Sequence, residues 1–468
     1  MFRISNHYVS KIVFTLLFVE VLVLLGAAYV GAAVRFMELG ETSATVPHLD
    51  NFFTSAIAFT IAVIFSMSAM GMYQLDFDEG LRNPFLMKLM PSFVMGFVIL
   101  TLVFYLAPDL YFGRGVLILV FAVGGAGILL ARLIFFKTSE ARFMRSRIMF
   151  LGGGPLAKEC SDLATRNNRY HKYDIAGFIP IATEDLCVET SSLLKVRDGD
   201  SLVKLARQNN VEEIVVSVLN RRGGFPIKEL LDCKLQGVKV TDAATFFERE
   251  TCQIRVDSLQ PSWLVFGGGF DQSFVRTFMK RCFDLACSVI LLVLTLPIML
   301  LAALAVWVED RGTVFYSQER VGKDGKTFRV LKFRSMRVDA EKGGKPQWAA
   351  QNDPRVTRVG NFMRKTRIDE LPQILNVLKG EMSFVGPRPE RPYFVEQLIE
   401  VVPYYNVRHS IKPGITGWAQ VRYGYGSSAE DALQKLQYDL YYVKNNSLFL
   451  DVLIMIDTLK VVLFRSGR

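Results

Sequence analysis

Residues 285–308 read LACSVILLVLTLPIMLLAALAVWV, an apolar run with no charge and with Pro297 at its middle. The run is longer than the ~20 residues a spanning helix needs. Proline, however, removes an intrahelical hydrogen bond and clashes with the preceding turn, which bends the helix. Two arrangements follow: a kinked but complete span, which transmembrane helices tolerate, or a re-entrant hairpin that enters and leaves by one face. The segment after Val308 is rich in Arg and Lys, and a complete crossing would carry those cations away from the cytoplasm, against the positive-inside rule. The sequence therefore predicts a re-entrant helix over 285–308, broken at Pro297.

Four further apolar stretches fill the first third of the chain: Ile12–Val34, Phe52–Tyr73, Leu89–Ala107 and Gly115–Ala131. Each is near spanning length, and together they predict a four-helix transmembrane bundle over residues 1–137. Arg3 and Lys11 precede the first stretch, Arg82 and Lys88 separate the second from the third, and Arg132, Lys137, Arg142, Arg145 and Arg147 follow the fourth. Both ends of the bundle then face the cytoplasm, and the loop from Arg35 to Asp50, with Glu38, Glu41 and Asp50, is external. Glu20 is the one charge inside the four stretches, either a functional group or one that snorkels or pairs with a neighbouring helix. The first stretch is long and lacks a small-residue cleavage site, so a removable signal peptide is not expected.

The composition agrees. Of 468 residues 51% are apolar, the mean hydropathy is +0.26, and 55 Lys+Arg stand against 45 Asp+Glu, a net of +10. A disordered chain and a small disulfide module are excluded. The positive balance suits anionic headgroups, nucleic acid or phosphorylated substrates, and leaves the choice to the motifs. The six cysteines include no CxxC pair and the four histidines are scattered, so no structural zinc site is expected. Unpaired thiols suit a reducing compartment.

Residues 147–260 alternate between strand-like and helical stretches, from Ile148–Leu151 and Leu156–Arg166 to Pro226–Leu235 and Val238–Thr241. This predicts a Rossmann-like parallel α/β module. Its first turn, Gly152-Gly153-Gly154-Pro155-Leu156-Ala157, is a GxGxxA form of the phosphate-cradling fingerprint, so Gly152 and Gly154 are a candidate nucleotide turn. The companion acid is missing: the second strand ends at Ile179-Pro180, with Asp174 at its start and Glu184 beyond it. No YxxxK pair occurs in the chain. The module reads as regulatory or architectural, and Gln260–Lys280 as a linker.

Beyond the apolar run, Val314–Arg320 and Thr327–Lys332 are strand-like, joined by Lys323-Asp324-Gly325-Lys326, where Asp-Gly signals a hairpin. Gly325-Lys326-Thr327 is not a P-loop, because the first glycine of that motif would fall on Arg320. Between Glu309 and Glu400 there are 18 Lys/Arg and 13 Asp/Glu, a net of +5. Within this segment Arg364-Lys365-Thr366-Arg367-Ile368-Asp369-Glu370-Leu371-Pro372-Gln373 sets three cations and two adjacent carboxylates ahead of a helix that begins near Pro372 and stops at Gly380. Neighbouring residues do not share a helix face, so the two carboxylates divide labour rather than act as a symmetric pair. One can attack phosphorus while the other holds a metal, with cations neutralising the phosphoryl oxygens. The alternative is a plain helix cap. Gly386-Pro387-Arg388-Pro389 fixes an arginine on a stiff turn suited to a phosphate fork.

Pro297, Lys332-Phe333-Arg334-Ser335-Met336, Arg364 with Asp369-Glu370-Leu371-Pro372-Gln373, Gly386-Pro387-Arg388-Pro389 and Lys412-Pro413-Gly414-Ile415-Thr416-Gly417-Trp418-Ala419-Gln420 together resemble the bacterial sugar transferases, that is, the monotopic phosphoglycosyl transferases or polyprenyl-phosphate hexose-1-phosphate transferases. The resemblance covers Phe278–Leu463, and the N-terminal part looks like the extension of the family's large, exopolysaccharide-associated members. It implies transfer of a sugar 1-phosphate from a UDP-sugar to undecaprenyl phosphate, giving undecaprenyl-diphosphate-sugar and UMP. Residue by residue, it implies Asp369 as the nucleophile that takes the phosphosugar covalently and Glu370 as its partner. It further implies Mg²⁺ held near Asp369 and Glu370, phosphate-binding cations at Lys332, Arg334, Arg364 and Arg388, and Pro297 as the helix break. Small members often carry Ser-Pro at that break, where this chain has Leu296-Pro297.

The expected fold class is a membrane protein, α plus α/β, in three parts. These are the bundle at 1–137, the Rossmann-like module at 147–260, and a mostly α catalytic domain at 278–468 with its re-entrant and interfacial helices. Leu448–Phe464, with only Asp451, Asp457 and Lys460 charged, reads as an interfacial helix or an ordinary core helix. The resemblance places the protein in the bacterial inner membrane with the catalytic domain on the cytoplasmic face. Expected partners are a UDP-sugar, undecaprenyl phosphate and the bilayer, with no nucleic acid; a homo-oligomer is open. A membrane-anchored nucleotide-sugar modifying enzyme and a non-enzymatic assembly scaffold are the competing readings.

Overall fold

The computed structural model describes residues 2–4, 7–9, 11–38, 52–73, 84–139, 145–165, 172–181, 185–194, 201–218, 225–256, 268–270, 272–337, 354–424, 426 and 428–464. Glu41, Asp50, Arg82, Arg142, Glu184 and residues 260–267 of the expected linker lie outside them. Two compact units emerge: Met1–Phe2 with Tyr8–Thr251, and Arg3–His7 with Cys252–Arg468. Among the described residues, five helices are long and apolar enough to cross a membrane, namely Lys11–Phe36, Phe52–Ala69, Lys88–Leu106, Arg114–Phe135 and Phe274–Asp310. With the parallel sheet described below, this is a membrane α/β protein.

In the first unit α1 (Lys11–Glu38) packs on α4 (Arg114–Ser139), and α2 (Phe52–Ala69) packs on α3 (Pro84–Leu106). Close approach of α1 and α4 depends on Gly31, where a Cβ would lie 2.9 Å from the Val120 backbone nitrogen. Glu20 is fully buried, and it pairs across helices: Arg132 Nε bonds its Oε1, and the Tyr73 hydroxyl donates to its Oε2 at 2.6 Å. Breaking such a pair from one side strands a charge and costs about 3–5 kcal/mol. Arg132→Ala is therefore expected to lower the detergent melting temperature well below that of the Glu20→Leu/Arg132→Leu double variant. Equal losses in a thermal-shift measurement would contradict this.

The same unit holds a four-stranded parallel sheet in the order β4-β3-β5-β6. Its strands are β3 (Ser146–Leu151), β4 (Tyr173–Ile179), β5 (Glu213–Val216) and β6 (Lys239–Asp242), numbered after two short N-terminal strands, β1 (Phe2–Ile4) and β2 (His7–Val9). Crossover helices α5 (Pro155–Thr165), α6 (Leu202–Gln208) and α7 (Ile227–Leu235) follow the first three sheet strands, and α8 (Ala243–Thr251) follows the last. Burial of the central strands on both faces, over Ile148–Leu151 and Ile214–Val216, explains their continuous apolar runs.

The second unit is built on α9 (Phe274–Asp310). This helix starts inside the expected linker, and its helical turns continue on both sides of Pro297. Around it lie α10 (Arg358–Thr366), α11 (Gln373–Lys379), α12 (Pro392–Val401), α13 (Trp418–Arg422), α14 (Ala429–Asn445) and α15 (Leu448–Phe464). One face of α9 meets this charged lobe near both of its ends. Arg281 donates to the carbonyls of Val377 and Leu378 at 2.6 and 2.7 Å, and Asp284 accepts from Ser383 Oγ and Phe384 N. Further along, Met299, Ala302 and Val306 pack against Phe333 and Met363, and Glu309 accepts from the Arg358 and Val359 amides. Leu296, Pro297 and Ile298, between these contacts, are exposed. In α15 the acids point inward: Asp451 bonds Tyr442 and Lys280, and Asp457 pairs with Arg422.

Candidate active site

Strands β7 (Phe315–Val321) and β8 (Thr327–Phe333) form an antiparallel hairpin whose turn holds Asp324 and Gly325 at φ 55° and 74°, the left-handed pair that Asp-Gly supplies. Tyr316 is opposite Lys332 and Arg320 opposite Phe328, so Arg320, Val330 and Lys332 share one face. Asn376 ties the hairpin to α11. Its side chain accepts from Leu331 N at 3.0 Å and donates to Arg329 O at 2.8 Å, as a strand partner would.

Helix α10 ends at Arg367, in the left-handed region at φ 59°, and the chain turns through the short 3₁₀ segment Ile368–Glu370 before α11. This sharp reversal points the two carboxylates into different surroundings. Glu370 Oε1 accepts from Lys332 Nζ at 2.9 Å and Arg388 Nη2 at 3.2 Å, while Arg367 lies 3.6 Å from Oε2. Asp369 is 7% exposed, and its buried Oδ1 has no hydrogen-bond partner.

The titration behaviour separates accordingly. Burial, reinforced by the Glu370 charge, pushes Asp369 up to about 6, against the pull of Lys332, Arg364 and Arg367. Burial also opposes ionisation of Glu370, but Lys332, Arg388 and Arg367 together outweigh it and hold this carboxyl well below the usual range. The Glu370 charge in turn raises Arg388. Glu370 is thus a permanent anion that gathers cations, and Asp369 is the one of the pair with an uncommitted oxygen.

Arg388 sits on the turn that leaves β9 (Ser383–Val385), a strand paired in parallel with β10 (Gly414–Thr416). A Cβ at Gly386 would lie 2.4 Å from the Lys412 carbonyl oxygen, so only glycine lets the two segments meet there. The resulting shallow cleft, open to solvent, is lined by Arg320, Val330, Lys332, Glu370, Gln373, Arg388, Pro389, Gly414 and Ile415.

Among the described residues, no cluster of three His, Cys, Asp or Glu could hold a metal by itself. Mg²⁺ characteristically takes one or two carboxylates and completes its shell with substrate phosphates and water. The orphaned Asp369 Oδ1 fits that pattern, whereas the Glu370 oxygens face Lys332, Arg388 and Arg367.

Residues 275–465 match the family model for bacterial sugar transferases. An undecaprenyl-phosphate galactose phosphotransferase of Salmonella typhimurium is 31% identical over 350 residues, 69% of each chain. This chain belongs to the bacterial sugar transferase family. A UDP-N-acetylgalactosamine-undecaprenyl-phosphate N-acetylgalactosaminephosphotransferase of Aeromonas hydrophila is 44% identical over 238 residues, 51% of this chain and 55% of that protein. A UDP-glucose:undecaprenyl-phosphate glucose-1-phosphate transferase of Escherichia coli (strain K12) is 44% identical over 187 residues, 39% of this chain and 40% of that protein. The chain therefore spans about half the length of such curated relatives.

In this bacterial sugar transferase the sequence-derived candidates separate into groups. Lys332, Glu370 and Arg388 meet at the cleft, with Asp369 adjoining in sequence. Arg364 donates to Ser335 Oγ at 2.9 Å, and its charge still acts on Asp369. Arg334 is turned elsewhere, buried against Asp310 and donating to Thr313 Oγ1 at 3.3 Å. Pro297 lies along α9. Gly152 and Gly154 belong to the first unit, and the space beside Gly153 is filled: a Cβ there would lie 2.6 Å from Leu186 Cδ2, and Cys187 N donates to the Gly153 carbonyl at 2.8 Å. The cleft also contains Arg320, which lies outside the quoted motifs, and Gln373, which its motif carried without a role, while Arg367 touches Glu370 from the side. Alternation along the hairpin is the signal that could have found Arg320, since it puts that residue on the Lys332 face.

Proposed function

We propose that this protein transfers a sugar 1-phosphate from a UDP-sugar to undecaprenyl phosphate, releasing UMP, through a covalent intermediate on Asp369. The observation that carries this reading is the buried, unpartnered Asp369 Oδ1 beside a Glu370 already saturated with cations. An Asp369 carboxylate oxygen attacks the phosphorus that bears the sugar, the bond from that phosphorus to the bridging oxygen breaks, and UMP departs with the electron pair. An oxygen of the lipid phosphate then attacks the same phosphorus and returns the carboxylate. Lys332 and Arg388, held by Glu370, bind the phosphoryl oxygens so that anion can approach anion, and Arg364 adds charge from the side of Ser335. A bound Mg²⁺, held through Asp369 and phosphate oxygens, would supply further charge neutralisation.

Contacts near both ends of α9 support re-entry by one membrane face. Arg281 and Glu309 are about 40 Å apart along a straight helix, yet both bind the same charged lobe. A bend at Pro297 puts the exposed Leu296–Ile298 at the deepest point and keeps the catalytic domain in the cytoplasm. The four N-terminal helices form the transmembrane bundle of this inner-membrane protein, and the filled glycine turn supports an architectural role for the Rossmann-like module.

The relatives described above are named for N-acetylgalactosamine, glucose and galactose, so the sugar is the open term. Membranes containing the protein, incubated with radiolabelled UDP-glucose, UDP-galactose and their N-acetylated analogues, are expected to label the lipid fraction from one donor with release of UMP. No lipid labelling from any of them would contradict the proposal.

The raised Asp369 pKa gives a separate test without turnover. Carbodiimides modify the protonated carboxyl, so in Mg²⁺-free buffer labelling of Asp369, quantified by peptide mass spectrometry, should be strong below pH 6 and fall as pH rises through about 6. A midpoint near the ordinary aspartate value would contradict the assigned environment.

A further inference from the structure

Every backbone carbonyl from Pro387 to Glu390 is held by a partner from elsewhere in the second unit. Gly414 N donates to Pro387 O at 3.0 Å and Val321 N to Glu390 O at 2.9 Å, while Arg320 Nη1 reaches Pro389 O at 3.1 Å. The Arg388 carbonyl is likewise held by a guanidinium, but a more deeply buried one than that of Arg320, which is 20% exposed: Arg408 Nη2 donates to it at 2.9 Å from a side chain that is 7% exposed. The same guanidinium is neutralised by Asp439 Oδ2 at 2.8 Å and donates to the Tyr405 hydroxyl at 2.5 Å. Asp439, on α14, is 2% exposed.

A buried ion pair of this kind is an expensive way to satisfy one carbonyl, since both charges lose their hydration. A neutral donor would serve if satisfaction were all that mattered. What the pair adds is a charge-assisted bond whose far end is anchored on a separate helix, which fixes the peptide plane of residue 388. A guanidinium that starts from a fixed backbone has less freedom left to lose when it grips an anion.

We propose that Arg408 and Asp439 are positioning residues that lock the Gly386–Pro389 turn and thereby aim Arg388 at the diphosphate of the nucleotide substrate. They act through Arg388 and not on the substrate. The inference rests on the proposed role of Arg388 in binding that substrate.

The test is a double-mutant cycle on the full-length protein in detergent, read as the Kd for UDP by calorimetry, with the melting temperature recorded in parallel. Arg408→Gln is expected to weaken UDP binding about tenfold when Arg388 is present, and to add nothing in an Arg388→Ala background. Asp439→Asn, which keeps the side-chain shape, is run beside it and should give the same pattern at smaller amplitude. A role confined to stability would leave the Arg408 effect undiminished in the Arg388→Ala background, or would lower the melting temperature with UDP affinity unchanged; either result overturns the inference. So would loss of folding in both variants, since the pair would then serve the fold as a whole. If Arg388→Ala itself binds UDP as wild type does, the role given to Arg388 fails, which is a different result from additivity in the cycle.

Discussion

Asp369→Asn protein is expected to remain in the membrane fraction, to melt near the wild-type temperature, and to lose more than ~1,000-fold of its sugar-phosphate transfer activity. The substitution is nearly isosteric and Oδ1 has no hydrogen-bond partner to lose, so the fold has little reason to change. It also removes a carboxyl whose burial beside Glu370 opposes its ionisation, so any stability change should be small or favourable at neutral pH. An amide cannot form the acyl phosphate, and no neighbouring group replaces it: Glu370 is committed to Lys332, Arg388 and Arg367. Substantial turnover by the purified variant would remove Asp369 from the nucleophile's role.

Arg388→Ala is expected to lower kcat/KM for the nucleotide sugar by about 10- to 100-fold, through loss of a charge-assisted fork and release of Glu370 from one of its cations. Arg388→Lys should recover only part of that, because an ammonium keeps the charge but not the planar pair of donors. The Arg388 side chain is 39% exposed and lines the cleft, where an anion can still reach it. Steady-state kinetics of the three proteins decide the matter, and an alanine variant with wild-type kinetics would count against the fork.

The parts of the site that could be read from sequence were those where short-range chemistry imposes its own signature. Asp324-Gly325 announced a hairpin because few residue pairs accept positive φ in succession, and the structure forms it. Pro372, whose fixed negative φ suits a helix start, and Gly380, which accepts the positive φ of a helix end, bracketed a helix, and α11 runs from Gln373 to Lys379. Among the described residues, long apolar runs marked each helix of spanning length. Long-range pairing was less legible. Lys332 and Arg334 lie two apart in one motif, but the strand ends between them, so Lys332 reaches Glu370 while Arg334 joins Asp310 at the end of α9. Glu20 carried no sequence signal naming Arg132, which is 112 positions away. Arg408 and Asp439 were silent for the same reason: Arg408 bonds a carbonyl twenty residues upstream and Asp439 pairs with that arginine across a further thirty-one positions. At the Gly152–Gly154 turn, the position of Leu186 2.6 Å from where a Gly153 Cβ would lie was likewise not legible from the local sequence.

The most direct test withholds the acceptor. Purified protein is mixed with a UDP-sugar labelled in the phosphate next to the sugar, quenched, digested and analysed by peptide mass spectrometry. The account predicts a phosphosugar adduct on the peptide containing Asp369, formed together with an equivalent of UMP and discharged when undecaprenyl phosphate is added. Transfer to lipid that proceeds at full rate while the adduct never forms, or forms on another residue, would contradict it.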